Sequence, residues 1–239
     1  MRYRHAIRLA GIALLAIPAT QLRADIVIAT PPGLTPGATF RIVFVTDATT
    51  DAQSSDINYY NTFVNNDATA EAGGGSVTYN GIPLVFSAIA STSSVDAITN
   101  IGQTGSPVFL AGGNRIADSD TSSLSGLWSG ALITPLNTDL LSRLQGNVVW
   151  TGTDPDGHGD VSYPLGSPAG LTGNDVQSGT EWTDYAPRSN TDTYAIYAIS
   201  NTLTVTTPEP ASIVLCLSAA ACGAVIACGR RRRAAQRDC

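Results

Sequence analysis

Three carboxylates and one imidazole fall within seven residues at Asp154-Pro155-Asp156-Gly157-His158-Gly159-Asp160. Hard oxygen ligands on a glycine-flexible loop suit Ca²⁺, which takes about six to eight of them. The spacing is not that of an EF-hand, because His158 stands at the fifth position and Leu165 at the twelfth, where oxygen ligands are needed. Asp154, Asp156 and Asp160 are the candidate calcium ligands. The competing reading is an acidic surface loop whose Asp and Gly residues make turns. Asp118-Ser119-Asp120 and Asp175 are weaker instances of the same idea.

Other chemistries find few residues to work with. His158 is the only histidine outside the first 24 residues, and the cysteines, Cys216, Cys222, Cys228 and Cys239, all lie near the C-terminus. A His/Cys zinc site cannot be assembled from that inventory. A Ser-His-Asp hydrolase would need His158 as its base, and no Gly-x-Ser-x-Gly elbow occurs. The chain has no lysine, so a phosphate-cradling Gly-x-x-x-x-Gly-Lys loop is ruled out. Carboxylate pairs of the kind that hydrolyse glycosides stay open, since seventeen acidic residues lie between Asp25 and Thr207, but nothing in their spacing singles out two.

Aromatic faces stack on sugars and also build cores. Trp150 lies within the apolar run Val148-Val149-Trp150 and reads as core. Trp128 and Trp182 sit among polar residues; core is the first reading for them too, but of the three they are the candidate ligand-binding aromatics.

The last thirty-two residues carry a different kind of signal. Thr207-Pro208-Glu209-Pro210 precedes an uncharged run, Ala211–Cys228, which ends at Gly229 and Arg230-Arg231-Arg232-Arg233. As a helix the run would be ~27 Å long, near the lower limit for a bilayer core. Pro208 and Pro210 keep that helix from extending upstream. The arginines hold their end in the cytoplasm, which puts the rest of the chain outside. At the other terminus, Arg2, Arg4 and Arg8 precede the apolar stretch Leu9–Ile17, and Ala24 closes a cleavage site after Leu22-Arg23. Residues 1–24 read as a secretory signal peptide, handled by the Sec translocon and signal peptidase.

Pro208-Glu209-Pro210, a short apolar helix and a basic end resemble the PEP-CTERM sorting signal of bacterial exosortase substrates over 208–233, leaving a cytoplasmic tail over 234–239. The resemblance implies an exosortase as partner and transit through the inner membrane with the C-terminus cytoplasmic. After processing it implies a place at the cell surface or in the extracellular matrix, often with exopolysaccharide.

Between the two signals lies one body of about 180 residues, 25–201, with 202–207 as linker, enough for a single core. It carries four arginines against seventeen acidic residues, a net −13. Such a surface repels nucleic acid and anionic lipid, and either attracts Ca²⁺ or serves solubility. It has no cysteine, hence no disulfide.

The elements that must position any site follow from pattern. Thr39–Thr46 (TFRIVFVT) and Tyr194–Ser200 (YAIYAIS) are strong strands. Short strands are expected at Asp25–Ala29, Ile82–Ala90, Pro107–Leu110, Arg115–Ala117 and Val148–Thr151, with Leu203–Val205 extending the last. Ser54 or Ser55 caps a helix to about Asn66 that presents Ile57, Tyr60, Phe63 and Val64; Ser93 or Ser94 caps a second, Val95–Ile101; a third is expected over Thr138–Leu144. Early helices with later strands and loops indicate an α+β body rather than alternating βαβ units. A β-sandwich is the alternative.

Val148-Val149-Trp150-Thr151-Gly152-Thr153, Asp156-Gly157 and Glu181-Trp182-Thr183-Asp184 resemble the core of bacterial C-type-lectin-like domains, as do the strand and helix that start the body. That resemblance implies a mixed sheet with one or two early helices and long loops, in which Arg41–Thr46 pairs with Tyr194–Ser200. The Glu-Pro-Asn and Gln-Pro-Asp sugar tripeptides of that family are missing. The expected function is a non-enzymatic exported envelope or matrix protein whose body binds carbohydrate or protein. An exported hydrolase of envelope polysaccharide is the alternative.

Overall fold

A computed structural model of the chain describes residues 25–206 except 147. The expected signal peptide and the whole sorting signal, with Pro208, Glu209, Pro210 and Arg230–Arg233, lie outside the described residues. Among the described residues no helix is long and apolar enough to cross a membrane.

The body is a mixed, sheet-rich α+β fold. In chain order its strands are β1 Ile26–Val27, β2 Thr39–Val45, β3 Val77–Tyr79, β4 Ile82–Pro83, β5 Phe86–Ala88, β6 Val108–Leu110, β7 Arg115–Ala117, β8 Val148–Trp150, β9 Ala169–Asn174, β10 Ala186–Ser189, β11 Ala195–Ser200 and β12 Leu203–Thr204; helices α1 (Ile57–Glu71) and α2 (Ala97–Ile101) are the two α-helices among the described residues. The main sheet runs β10-β9-β8-β11-β2-β6-β7, with β12 beside β2 and β5 beside β11; β1, β3 and β4 form a small second sheet. Parallel pairs (β2–β6, β8–β11) alternate with antiparallel ones.

β2 and β11 sit at the centre because both of their faces are apolar. Alternate residues point to opposite sides of a strand. Phe40, Ile42 and Phe44 of β2, with Ile196 and Ala198 of β11, join one core beneath α1. Val43, Val45, Tyr197 and Ile199 join a second core beneath the long loops. The expected pairing of these strands is present, Tyr197 opposite Val45 and Ile199 opposite Val43. Beyond it, β12 pairs Leu203 with Phe40 one residue out of step, a β-bulge. Ser200 fills the gap: its Oγ accepts from Ile42 N at 2.9 Å and donates to Asn201 O. Leu203 and Thr204 therefore form the expected strand extension, with Leu203 and Val205 buried.

The sequence of α1 explains its docking. Asp56, not Ser54 or Ser55, is the N-cap, and its Oδ1 accepts from Asn58 N at 3.0 Å. Ile57, Tyr60 and Val64 are buried on one face, as expected, and Phe63 is half-buried. Burying side chains of this size is worth about 1.5–3 kcal/mol each. Two asparagines on the same helix complete the free edge of β5. Asn65 takes Phe86 N on its Oδ1 and gives Nδ2 to Phe86 O; Asn61 accepts from Ala88 N and exchanges amide hydrogen bonds with Asn100 of α2. The helix thus stands in for a missing strand.

Three expected elements differ. Helix α1 runs five residues past Asn66, to Glu71. Helix α2 starts at Ala97, and the hydroxyl that takes the amide of Ala97 belongs to Ser91, not Ser93 or Ser94. The stretch 138–144 forms no helix; Thr138 and Leu144 instead make an isolated antiparallel bridge. Asp139 Oδ1 accepts from both Leu141 N and Arg143 N, capturing amides that a helix would need.

Candidate functional site

The loop 152–160 is folded by its own backbone and by α2. Asp154 N donates to His158 O, Gly157 N to Asp154 O, and Ile98 N of α2 to Gly157 O. Each candidate calcium ligand is engaged locally. Asp156 Oδ1 accepts from His158 N, and Asp160 Oδ1 accepts from Ser162 N and Tyr163 N at 2.7 and 2.6 Å. Burial pushes the Asp154 carboxyl up, and the charges of Asp160, Asp184 and Asp156 push the same way. Among the described residues no three His, Cys, Asp or Glu side chains are grouped to hold a metal ion, Asp154, Asp156 and Asp160 included.

His158 turns towards α2 instead. Its Nδ1 lies 2.9 Å from Asp96 Oδ2, and Asp96 Oδ1 also accepts from Gly159 N. The hydrogen bond to Asp96 raises the His158 pKa above its ordinary value and, reciprocally, lowers that of Asp96. The pair is exposed and ties the loop to the start of α2.

Trp128 and Trp182 correct the expected sugar-stacking surface. They are 3% and 0% exposed and belong to the second core. Their rings lie 5.7 Å apart, and Trp182 continues onto Tyr197 at 5.6 Å. Glycine admits the rings. A Cβ on Gly157 would stand 2.7 Å from Trp128 Cδ2, and one on Gly173 would stand 1.9 Å from the carbonyl oxygen of Trp182. Their burial is the core reading: long-range packing, not the polar neighbours in sequence, covers these rings. Trp150 is core as expected, its Nε1 donating to Thr50 O.

The weaker acidic candidates separate. Asp118 makes an exposed pair with Arg115 at 2.8 Å. Asp120 is fully buried, and its carboxylate takes Arg41 Nη1, Thr104 N, Thr104 Oγ1 and Gly105 N. Burial would raise its pKa, but these hydrogen bonds together hold it below the usual value. Asp175 is buried and accepts from Gly146 N at 3.0 Å.

A second grouping of carboxylates with a raised member was not evident in the sequence. A pocket of about 320 Å³ is lined by Asp47, Asp67, Glu71, Leu141 and Arg143. Asp67 and Glu71 are one turn apart on α1, and Asp139 and Arg143 come from the irregular stretch that replaces the expected third helix. Arg143 pairs with Asp139, and its Nη2 lies 3.5 Å from Asp47 and 3.8 Å from Glu71. Asp67 accepts from the amides of Asp47 and Ala48, pinning the end of β2 to the helix.

Three carboxylates here, Asp47, Glu71 and Asp139, share one guanidinium, and Asp67 lies beside them. The Glu71 side chain is 3% exposed. Its Oε2 accepts from Leu140 N, while its buried Oε1 has no donor. Burial, then the charges of Asp67 and Asp139, push the Glu71 pKa up to about 8, against the opposing charge of Arg143. A proton on Glu71 donated to Asp67 resolves the geometry, and burial pushes Asp67 up as well. Two carboxyl groups this close disfavour being charged together, and Glu71, pushed up to about 8, favours its protonated form at neutral pH. The signal in the sequence was Asp67 and Glu71 at helical spacing, hidden by ending the helix at Asn66.

No family model matches the chain, and no curated protein matches it.

Proposed function

We propose that this chain is an exported, exosortase-sorted envelope or matrix protein whose C-type-lectin-like body binds carbohydrate or protein. The observation that carries the reading is the order of three features at the C-terminus: Pro208-Glu209-Pro210, the uncharged Ala211–Cys228 and Arg230–Arg233. For the body, the support is the pairing of β2 with β11 and the Trp150-Thr151-Gly152 stretch that leaves β8. A strand near the start of the body and one near its end thus lie side by side. The test is expression of the full chain in a bacterium with and without an exosortase, followed by fractionation and mass measurement of the C-terminus. The reading expects a shortened, surface-released product only with the exosortase, and retention in the inner membrane when Pro208, Glu209 and Pro210 are replaced by alanine. Identical fractionation in both hosts overturns it.

A second reading, a hydrolase of envelope polysaccharide, is favoured by one observation: Glu71 holds a proton at neutral pH beside Asp67 in a pocket, as a general acid must. Against it, the Glu71 side chain is buried and its free oxygen is turned to Asp67. Glu71→Gln separates the two. A hydrolase loses polysaccharide cleavage; a binding protein has none to lose and keeps its ligand.

A further inference from the structure

The described chain ends at Thr206, and the position of that end gives one surface a definite neighbour. Thr206 Oγ1 accepts from Asn80 Nδ2 at 3.3 Å, and Asn201 exchanges hydrogen bonds with the backbone of Val85. The chain therefore leaves the body beside the β3–β4 turn. Ala211, the first residue of the uncharged run, is five residues further on and so within about 18 Å of Thr206 even if extended.

The small sheet at this exit is unusual in what it exposes. Val27 is 70% exposed, Ile82 66% and Val85 64%. Val27 pairs with Thr78, and Thr78 with Pro83, so Val27 and Pro83 share one face of the sheet roughly 10 Å apart. Val85 follows on the same side as the exposed Pro83, past the buried Leu84, whereas Ile82 pairs with the buried Tyr79 on the other face. The polar groups around the exit, Asn80, Asn201 and Thr206, are uncharged; the carboxylate nearest Val27 in sequence, Asp25, is held by Ser76 N at 2.8 Å. On a body with net charge −13, an aliphatic patch flanked by neutral groups at the point of exit has a specific use.

We propose that the Val27–Pro83–Val85 face rests on the lipid bilayer while the tail is in the membrane. This inference depends on Ala211–Cys228 spanning the bilayer. The short connection then holds the body within reach of the interface, and the three aliphatic side chains meet headgroups and upper acyl chains without bringing a carboxylate cluster against them. The acidic remainder of the surface faces away from the membrane. Docking holds the Pro208-Glu209-Pro210 segment at the membrane surface.

The body has no cysteine, which makes the test direct. The full chain, with Cys216, Cys228 and Cys239 replaced by serine, carries one environment-sensitive fluorophore. It is attached to Cys222, or, in a background lacking Cys222 too, to Val85→Cys or Leu124→Cys. Leu124 is 94% exposed and lies in the loop layer on the opposite face of the main sheet. Each protein is reconstituted in phosphatidylcholine vesicles with spin-labelled lipids. The expected result is strong quenching at Cys222, a blue shift with several-fold more quenching at position 85 than at 124, and little change at 124. Quenching at Cys222 with position 85 no different from 124 overturns the docking while leaving the span intact. A blue shift at 85 without lipid quenching means another copy of the chain covers the patch, and overturns it too. No quenching at Cys222 overturns the span and the docking together.

Discussion

Arg41 and Asp120 are 79 residues apart in sequence and meet at 2.9 Å with side chains 3% and 0% exposed. Around them the second core is closed. Arg41 Nε donates to Ser200 O at the β-bulge, and its two terminal nitrogens donate to Ile101 O and Gly102 O at the end of α2. One guanidinium thus joins β2, the irregular end of β11 and the short helix. Removing one partner of a buried pair leaves an uncompensated charge, a loss of about 3–5 kcal/mol. Asp120→Ala is expected to fall in that range by urea unfolding, because Thr104 and Gly105 lose their acceptor as well. The double variant Arg41→Met/Asp120→Leu should lose clearly less than the sum of the two single changes. Additive losses would mean that the pair is not the link.

Much of the frame is legible in the residues. TFRIVFV and YAIYAIS are apolar on both faces, which only a central strand can use. Other elements hide because their reasons are long-range. β9, Ala-Gly-Leu-Thr-Gly-Asn, looks like loop until Gly170 and Gly173 are seen to admit Trp150 and Trp182. β3 had a local signal that went unread: Asn80 and Gly81 both take positive φ, the two-residue hairpin turn that Asn-Gly favours. Asp139 and Arg143 at i,i+4 look helical, yet Asp139 spends its carboxylate on backbone amides. The acidic pocket was illegible for that reason, since half of it comes from this stretch.

Glu71 gives stability a pH dependence whose sign is fixed. Its carboxyl binds a proton more tightly in the folded chain, with a pKa of about 8 against an ordinary 4.5. Its contribution is therefore complete below about pH 4.5 and is lost as pH rises towards 8, then flat above. Asp67, also raised, acts in the same direction. Glu71→Gln keeps a permanent donor for Asp67 and removes most of that slope. Melting temperature followed from pH 5 to 8.5 should decline in the wild type and stay nearly level in the variant, which becomes the more stable of the two at pH 8.5. Parallel curves would show that Glu71 does not carry the proton.

His158 and Asp96 form an exposed pair, so little stability rests on it, about 0–1 kcal/mol after solvent screening. The charge on His158 stabilises the fold below its ordinary pKa and is lost as pH rises through the raised folded value. The clearer readout is the titration itself. In Asp96→Asn the principal cause of the shift is gone, and the His158 ring resonances should titrate closer to 6.5 by NMR. An unchanged midpoint would assign the shift to Asp154 and Asp156 instead.

Gly173 separates packing from backbone freedom. It has no positive φ, so any residue could adopt its conformation, yet an added Cβ would sit 1.9 Å from Trp182 O and 3.1 Å from Thr151 Cγ2. The obstacle is backbone, which cannot rotate away, and it holds the ring stacked between Trp128 and Tyr197. Overpacking of well-filled sites costs about 1–3 kcal/mol, and contact with a fixed carbonyl belongs at the top of that range or above. Gly179, a few residues on, has nothing within 4 Å of its own added Cβ and also no positive φ. Gly173→Ala should lose at least about 3 kcal/mol in urea unfolding and shift tryptophan emission to the red, while Gly179→Ala stays within about 0.5 kcal/mol of wild type. If both substitutions are tolerated alike, β9 does not press on Trp182, and the second core is looser than the stacked rings require.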